Sequence, residues 1–284
     1  MQALRVALIQ LAWAGTRDAM SAACQPLVAQ AAACGAAIVC LPELSLSPYF
    51  PGTRDRAGLA WAEPLAGGDS DRCFNALART HGVTIVGSLF ERTPDGHLYD
   101  TATLHDPTGR LIGSTRKVHI PSGEGYHETD FFEAGQDYPV HDLGVVKLAM
   151  PTCYDQWFPE MARICALNGA EFIFYPTAIG AEPTDPDIDT QNAWETVMRG
   201  HAIANGVYIG AANRIGVENG IRFYGSSFIC DPMGRVLAQA GRDTTEVIMA
   251  DLDPAVLEHW RDLFPLLHQR MPQTYRRILD RFEA

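Results

Sequence analysis

The sequence predicts an α/β fold, a four-layer α-β-β-α sandwich of two mixed sheets related by an internal pseudo-two-fold. Internal echoes point to it. Gly35-Ala36-Ala37-Ile38-Val39-Cys40-Leu41-Pro42-Glu43 matches Gly169-Ala170-Glu171-Phe172-Ile173-Phe174-Tyr175-Pro176-Thr177 position by position. In both, a helix ends at glycine, a short apolar strand follows and proline stops it. Gly82-Val83-Thr84-Ile85 echoes Gly206-Val207-Tyr208-Ile209, each after an alanine-rich helical stretch. Asp106-Pro107-Thr108-Gly109-Arg110 echoes Asp231-Pro232-Met233-Gly234-Arg235, and such Asp-Pro-x-Gly turns between strand-like runs make hairpins. Each half then reads strand, helix, strand, helix, strand, hairpin. Crossovers give parallel strands and hairpins give antiparallel ones. Helices on one face of each sheet leave two sheet faces to pack together. A doubly wound single sheet is the alternative. No linker or low-complexity tract divides residues 1–284, which read as a single domain with a C-terminal tail from about residue 263.

The elements follow in order. Residues 4–13 alternate like a core strand; the run is too short, with one arginine before it, to read as a secretory signal. Residues 38–41 form the next apolar strand, and 111–116 the returning strand of the first hairpin. The apolar run 145–150 leads to Cys153. Pro159 opens a helix over 158–168 that stops at Gly169, since proline suits a first helical turn and glycine the position past the end. Residues 123–137 and 182–189 are the longest irregular stretches, and long loops often carry function.

The formal net charge of −12, with no basic run, argues against a nucleic-acid partner and favours cationic small molecules. The seven cysteines are odd in number and include no Cys-x-x-Cys, which fits a reducing cytoplasm rather than a disulfide framework. The nine histidines are dispersed, so a zinc site has little support. No apolar stretch is long enough to span a bilayer.

Sites in open α/β sheets gather at the carboxyl ends of strands. Glu43, Lys117 and Cys153 all lie there. Singly, they also read as a surface carboxylate, a solvated lysine and a small buried hydrophobe. Together they suit attack on a carbonyl carbon bonded to nitrogen, which needs a nucleophile, a proton carrier and an oxyanion stabiliser. Cys153 attacks, and a helix N-terminus aimed at it favours a thiolate. Glu43 takes the thiol proton and returns one to the leaving nitrogen. Lys117 and the backbone N–H of Tyr154 hold the oxyanion. This chemistry requires no metal or organic cofactor.

With these residues in place, the chain resembles the nitrilase superfamily of carbon–nitrogen hydrolases, whose members use a Glu-Lys-Cys triad. The motifs are Leu41-Pro42-Glu43-Leu44, Arg116-Lys117-Val118-His119-Ile120-Pro121 and Cys153-Tyr154-Asp155, and the resemblance runs from Val6 to about Tyr275. It implies the nitrilase-like α-β-β-α sandwich and a second glutamate, Glu128 in Gly125-Tyr126-His127-Glu128, placed near Lys117 or against the hydrolytic water. It also implies a homodimer or larger homo-oligomer, to which the tail could contribute.

Within that superfamily the chain is similar to the N-carbamoylputrescine amidase branch. The segments Phe174-Tyr175-Pro176-Thr177-Ala178-Ile179-Gly180-Ala181-Glu182-Pro183, Asn213-Arg214-Ile215-Gly216 and Phe223-Tyr224-Gly225-Ser226-Ser227-Phe228 carry the likeness. It implies cleavage of a ureido group to amine, ammonia and carbon dioxide. Glu182 is the candidate partner for a substrate ammonium, with Asp187 and Asp189 as alternatives; Trp157, His127 and Tyr49 are further candidate substrate-binding residues. Thr129 and Asp130 after Glu128, and Pro151 and Thr152 before the thiol, depart from the branch pattern. An N-carbamoyl amino acid such as N-carbamoyl-β-alanine, or an aliphatic amide, is the alternative substrate; an acid would need Arg54, Arg56 or Arg199. A non-enzymatic metabolite-binding protein is the third reading.

Overall fold

Residues on β-strands alternate between two faces, and here both faces are apolar, so each sheet must be covered twice. The computed structural model describes residues 4–282. The first half runs β1 (Leu4–Gln10), α1 (Arg17–Ala33), β2 (Ile38–Cys40), α2 (Asp69–His81), β3 (Thr84–Arg92), β4 (Leu98–His105) and β5 (Leu111–Arg116). The second runs β6 (His141–Asp142), β7 (Lys147–Ala149), α3 (Pro159–Leu167), β8 (Phe172–Pro176), α4 (Gln191–Asn205) and β9 (Tyr208–Ala212). A small hairpin, β10 (Ile215–Glu218) and β11 (Ile221–Tyr224), precedes β12 (Phe228–Cys230), β13 (Val236–Gln239), β14 (Glu246–Leu252) and α5 (Pro254–Leu263).

Two six-stranded sheets result, ordered β14-β1-β2-β3-β4-β5 and β13-β12-β9-β8-β7-β6. In the first, β2 runs parallel to β1 and β3, and β4 and β5 return antiparallel. The second repeats this with β8 parallel to β7 and β9, and β12 and β13 antiparallel. The pseudo-two-fold is therefore present strand for strand, and the doubly wound single sheet is excluded.

The layers follow from side-chain parity. Val6 and Leu8 of β1 face inward, meeting Leu148, Phe172 and Phe174 of the second sheet in one core. Ala7 and Ile9 face outward onto Met20, Cys24 and Val28 of α1 and Phe74 and Leu77 of α2. In the second half, Ile173, Tyr175 and Ile209 face Met161, Cys165, Trp194 and Met198 of α3 and α4. Each fully buried large apolar side chain contributes roughly 1.5–3 kcal/mol, so these faces dominate the stability. Close approach needs one glycine in mid-strand: a Cβ on Gly87 would lie 2.5 Å from the Phe74 ring.

The boundaries differ from the sequence reading in one informative place. The strand before Cys153 is only Lys147–Ala149, because Pro151 offers no ladder donor and the chain leaves the sheet. The helix expected over 158–168 is Pro159–Leu167, but a separate 3₁₀ turn, Cys153–Trp157, stands between strand and helix. Among the described residues no helix is long and apolar enough to cross a membrane.

Candidate active site

Glu43, Lys117 and Glu128 come together at the carboxyl end of the first sheet. All three are buried. Lys117 Nζ lies 2.7 Å from Glu43 Oε1 and 2.5 Å from Glu128 Oε2. A further carboxylate, Asp100 on β4, has Oδ2 at 3.5 Å from the same ammonium. The carboxyl groups of Glu43, Asp100 and Glu128 have oxygens within 4.8 Å of one another. That spacing resembles a metal site, but the Lys117 ammonium already engages the three acids.

Cys153 sits on the floor of a cavity of about 550 Å³. Its φ of 42° is left-handed, a conformation costing a non-glycine residue about 1–3 kcal/mol unless its surroundings enforce it. Here they do. Buried Asp155 accepts from Thr152 N at 3.1 Å and from His119 N at 2.8 Å, so one carboxylate ties the cysteine turn to the segment after Lys117. His201 of α4 holds the Gln156 carbonyl at 3.0 Å from its Nε2.

Tyr154, Trp157 and Glu182 line the cavity, as do Tyr126 and Glu124, and Glu128 reaches it from below. Tyr49 and His127 do not line it. Tyr49 is fully buried behind the site and donates to Glu128 Oε1 at 2.7 Å. His127 faces Arg54, whose Nε donates to His127 Nδ1 at 3.3 Å. Neither is among the residues that line the cavity, although the sequence reading offered both for substrate binding; Tyr49 reaches it only through Glu128. Asp187 and Asp189 are outside it too, Asp189 being paired with Arg242 at 2.6 Å. Asp130 carries its charge to Arg54 at the surface rather than to the cavity mouth.

This geometry and the following likenesses decide the family. A family model described as Carbon-nitrogen hydrolase matches residues 5–262. A citrullinase from Francisella tularensis is 35% identical over 99% of this chain and 100% of its own length. An N-carbamoylputrescine amidase from Arabidopsis thaliana is 36% identical over 96% of this chain and 94% of its own. The crystal structure of a carbon-nitrogen hydrolase from Helicobacter pylori superposes with a TM-score of 0.90 at 34% identity, covering 99% of this chain and 100% of that one. The chain belongs to the carbon–nitrogen hydrolase family. It is a hydrolase acting on carbon–nitrogen bonds, within the nitrilase superfamily.

The electrostatics of the hydrolase's site follow from burial. Burial pushes the Glu43 carboxyl well above the usual range; Lys117 opposes this, while Asp100 and Glu128 add to it. Glu128 is raised for the same leading reason. Burial works against charge on Lys117, but Glu128 and Glu43 outweigh it and hold the ammonium firmly protonated. The Cys153 thiol is pushed well above its ordinary value by burial and by Glu43, with Lys117 opposing. The helix expected to stabilise a thiolate starts beyond the 3₁₀ turn, and burial beside carboxylates works toward the neutral thiol. A thiol raised in this way needs a neighbouring base to ionise.

Sequence reasoning missed the supports. Buried Arg214 donates to the Leu44 carbonyl at 2.7 Å and the Glu43 carbonyl at 3.3 Å, and pairs with Glu218 at 2.7 Å. It clamps the turn after Glu43, where Leu44 has a φ of 48°. Glu218 also accepts from Tyr49 N at 2.7 Å, so the Arg214–Glu218 ion pair, at the two ends of β10, braces both Glu43 and the partner of Glu128. Asp155 could have been suspected from its place two residues after the thiol; Arg214 lies 171 residues from Glu43 and gives no local signal. Tyr49→Phe removes one hydrogen bond to a charged acceptor, and its urea midpoint is expected to report a loss of about 1.5–3 kcal/mol. An unchanged midpoint would mean that Glu128 does not depend on Tyr49.

Proposed function

We propose that the hydrolase cleaves the ureido C–N bond of an N-carbamoyl amine with a cationic tail, N-carbamoylputrescine foremost, to amine, ammonia and carbon dioxide. The supporting observation is the charge of the cavity. Glu124 and Glu182 stand in its wall above Cys153, and no lysine or arginine is among its lining residues. Arg54, Arg56 and Arg199, which an acidic substrate would need, are engaged instead by His127, Asp130 and Glu195. Citrulline and N-carbamoyl-β-alanine each carry a carboxylate, which would enter this cavity without a partner.

In the proposed mechanism, Sγ of Cys153 attacks the carbamoyl carbon as Glu43 takes the thiol proton. Charge developing on the carbonyl oxygen is held by Lys117 Nζ and the N–H of Tyr154. Collapse expels one nitrogen, protonated by Glu43, and leaves a carbamoyl thioester. Glu43 then deprotonates water for the second attack, with Glu128 fixing Lys117 and the water. The remaining carbamate yields the second nitrogen and carbon dioxide. No metal or organic cofactor enters these steps. The shared core of the two sheets supports one domain through the chain. The exposed Leu263, Phe264, Met271, Ile278 and Leu279 support a tail that meets another copy in a cytoplasmic homo-oligomer.

Ammonia release from N-carbamoylputrescine, citrulline, N-carbamoyl-β-alanine and a simple aliphatic amide, compared at equal concentrations, tests the substrate. The cationic ureido compound is expected to be fastest. A preference for either acid overturns the assignment, and a preference for the amide moves the protein to another branch of the family. Glu182→Gln is expected to raise KM for N-carbamoylputrescine about tenfold with kcat little changed, as loss of a charge-assisted contact made equally in ground and transition states should. An unchanged KM would remove Glu182 from substrate binding.

A further inference from the structure

We propose that Asp100 is a positioning residue that shares one proton with Glu43 in the resting site, so that the two carboxyl groups act as a single base. The proposal rests on Glu43 as the base for Cys153, and deepens that reading.

The observation is an accounting of donors. Glu43, Asp100 and Glu128 offer two oxygens each. Glu43 Oε1 and Glu128 Oε2 accept from Lys117, Glu128 Oε1 from Tyr49, and Asp100 Oδ1 from Ser88 Oγ at 3.1 Å. Glu43 Oε2 and Asp100 Oδ2 are left, both buried and both without a hydrogen bond, Asp100 Oδ2 having only the long ionic contact to Lys117 at 3.5 Å. They belong to residues that are fully buried, so bulk water does not reach them. An orphaned carboxylate oxygen in such a place costs more than an unmade neutral hydrogen bond. A single proton between these groups satisfies both.

Charge leads to the same place. Three buried carboxylates around one ammonium carry a net charge of −2, and one shared proton reduces it. The groups facing the pair are Lys117 at the end of β5, Glu128 in its loop, Ser88 of β3, and Cys153 across the site. Lys117 is the sole cation among them. The charge of Asp100 further raises Glu43. Asp100 is also tied to the backbone of the base: Ser88 Oγ, which donates to Asp100, accepts from Leu44 N at 2.9 Å.

The sharing keeps Glu43 competent although it is buried. When the thiol proton arrives on Glu43, the shared proton settles on Asp100. When Glu43 protonates the leaving nitrogen, the proton on Asp100 returns to the shared position, and Glu43 is again free to take a proton from the hydrolytic water. No proton is gained or lost by the pair over the turnover.

The test is Asp100→Asn, whose amide can donate to Glu43 Oε2 permanently but brings no charge. The rate of Cys153 alkylation by iodoacetamide, followed by mass of the Cys153 peptide, is measured against pH in the wild type and the variant. This readout needs no substrate, so it stands even if N-carbamoylputrescine is not turned over. Glu43 loses a negative neighbour, ionises at lower pH, and the acid limb is expected to move down by about one unit, roughly tenfold faster labelling on that limb. A limb that stays in place or moves up overturns the proposal. Should the variant not fold, the wild type decides: its infrared spectrum at neutral pH is expected to contain the carbonyl band of a protonated carboxylic acid, shifted in Ser88→Ala. A spectrum without that band overturns the proposal equally.

Discussion

Cys153→Ala is expected to lower ammonia release from N-carbamoylputrescine by about 10⁴-fold or more, to the background left by binding and oxyanion stabilisation alone. Fold stability should hardly change, because a buried neutral thiol gives way to a methyl group and Sγ makes only a long contact, 3.8 Å, to the Ala178 carbonyl. The exposed Cys34 is the internal control. Its alanine variant should keep full activity, since it lies far from the cavity. A Cys153→Ala protein that retains a hundredth of the wild-type rate would place the nucleophile elsewhere. A wild type inactive on every ureido compound and amide, yet labelled at Cys153, would keep the thiol and discard the substrate class.

Lys117→Met is expected to be nearly as damaging for activity and far more damaging for stability. Loss of one oxyanion donor costs about 10²–10³-fold in rate. The larger consequence is that Glu43, Glu128 and Asp100 lose the one ammonium that offsets their burial. Breaking a buried ion pair by removing one partner costs about 3–5 kcal/mol. The sign with pH follows from linkage. Glu43 and Glu128 are already raised above their unfolded values, and Lys117 is what lowers them; its removal raises them further. A carboxyl raised in the folded state contributes stability below its unfolded pKa and loses it as pH climbs through the folded one. The deficit of Lys117→Met in urea unfolding should therefore be smallest near pH 4 and grow toward neutrality. Equal deficits at pH 5 and pH 7 would argue that the acids are not held apart from water as the geometry implies.

Much of this was legible in the chain, for identifiable reasons. The strand before Glu43 was visible because its pattern recurs before Thr177, and both are parallel strands buried on two faces. Lys117 was visible because an Asp-Pro-x-Gly turn fixed where its strand begins. Glu128 could be placed only through family likeness, since nothing local distinguishes it from a solvated loop acid; what buries it is the packing of Phe131 and Phe132 on Phe50 and Phe90. Asp100 left an unused signal: parity along β4 puts it on the same face as Ala102 and Leu104, which belong to the core between the sheets. The state of Cys153 was not legible. Whether a thiol beside a helix is ionised depends on desolvation and on the acids around it, and both come from residues distant in sequence.

One pairing reaches beyond the site. β1 and β14 lie side by side in continuous register, Leu4 opposite Leu252 and Gln10 opposite Glu246. During synthesis β1 (Leu4–Gln10) emerges long before β14 (Glu246–Leu252). At about 5–20 residues per second, the edge of Val6-Ala7-Leu8-Ile9 stays bare for roughly ten to fifty seconds. Such an apolar, uncharged edge is a template for pairing with other chains. Nascent chains stalled before residue 246 should therefore aggregate or occupy chaperones, while arrival of β14 covers that edge of β1.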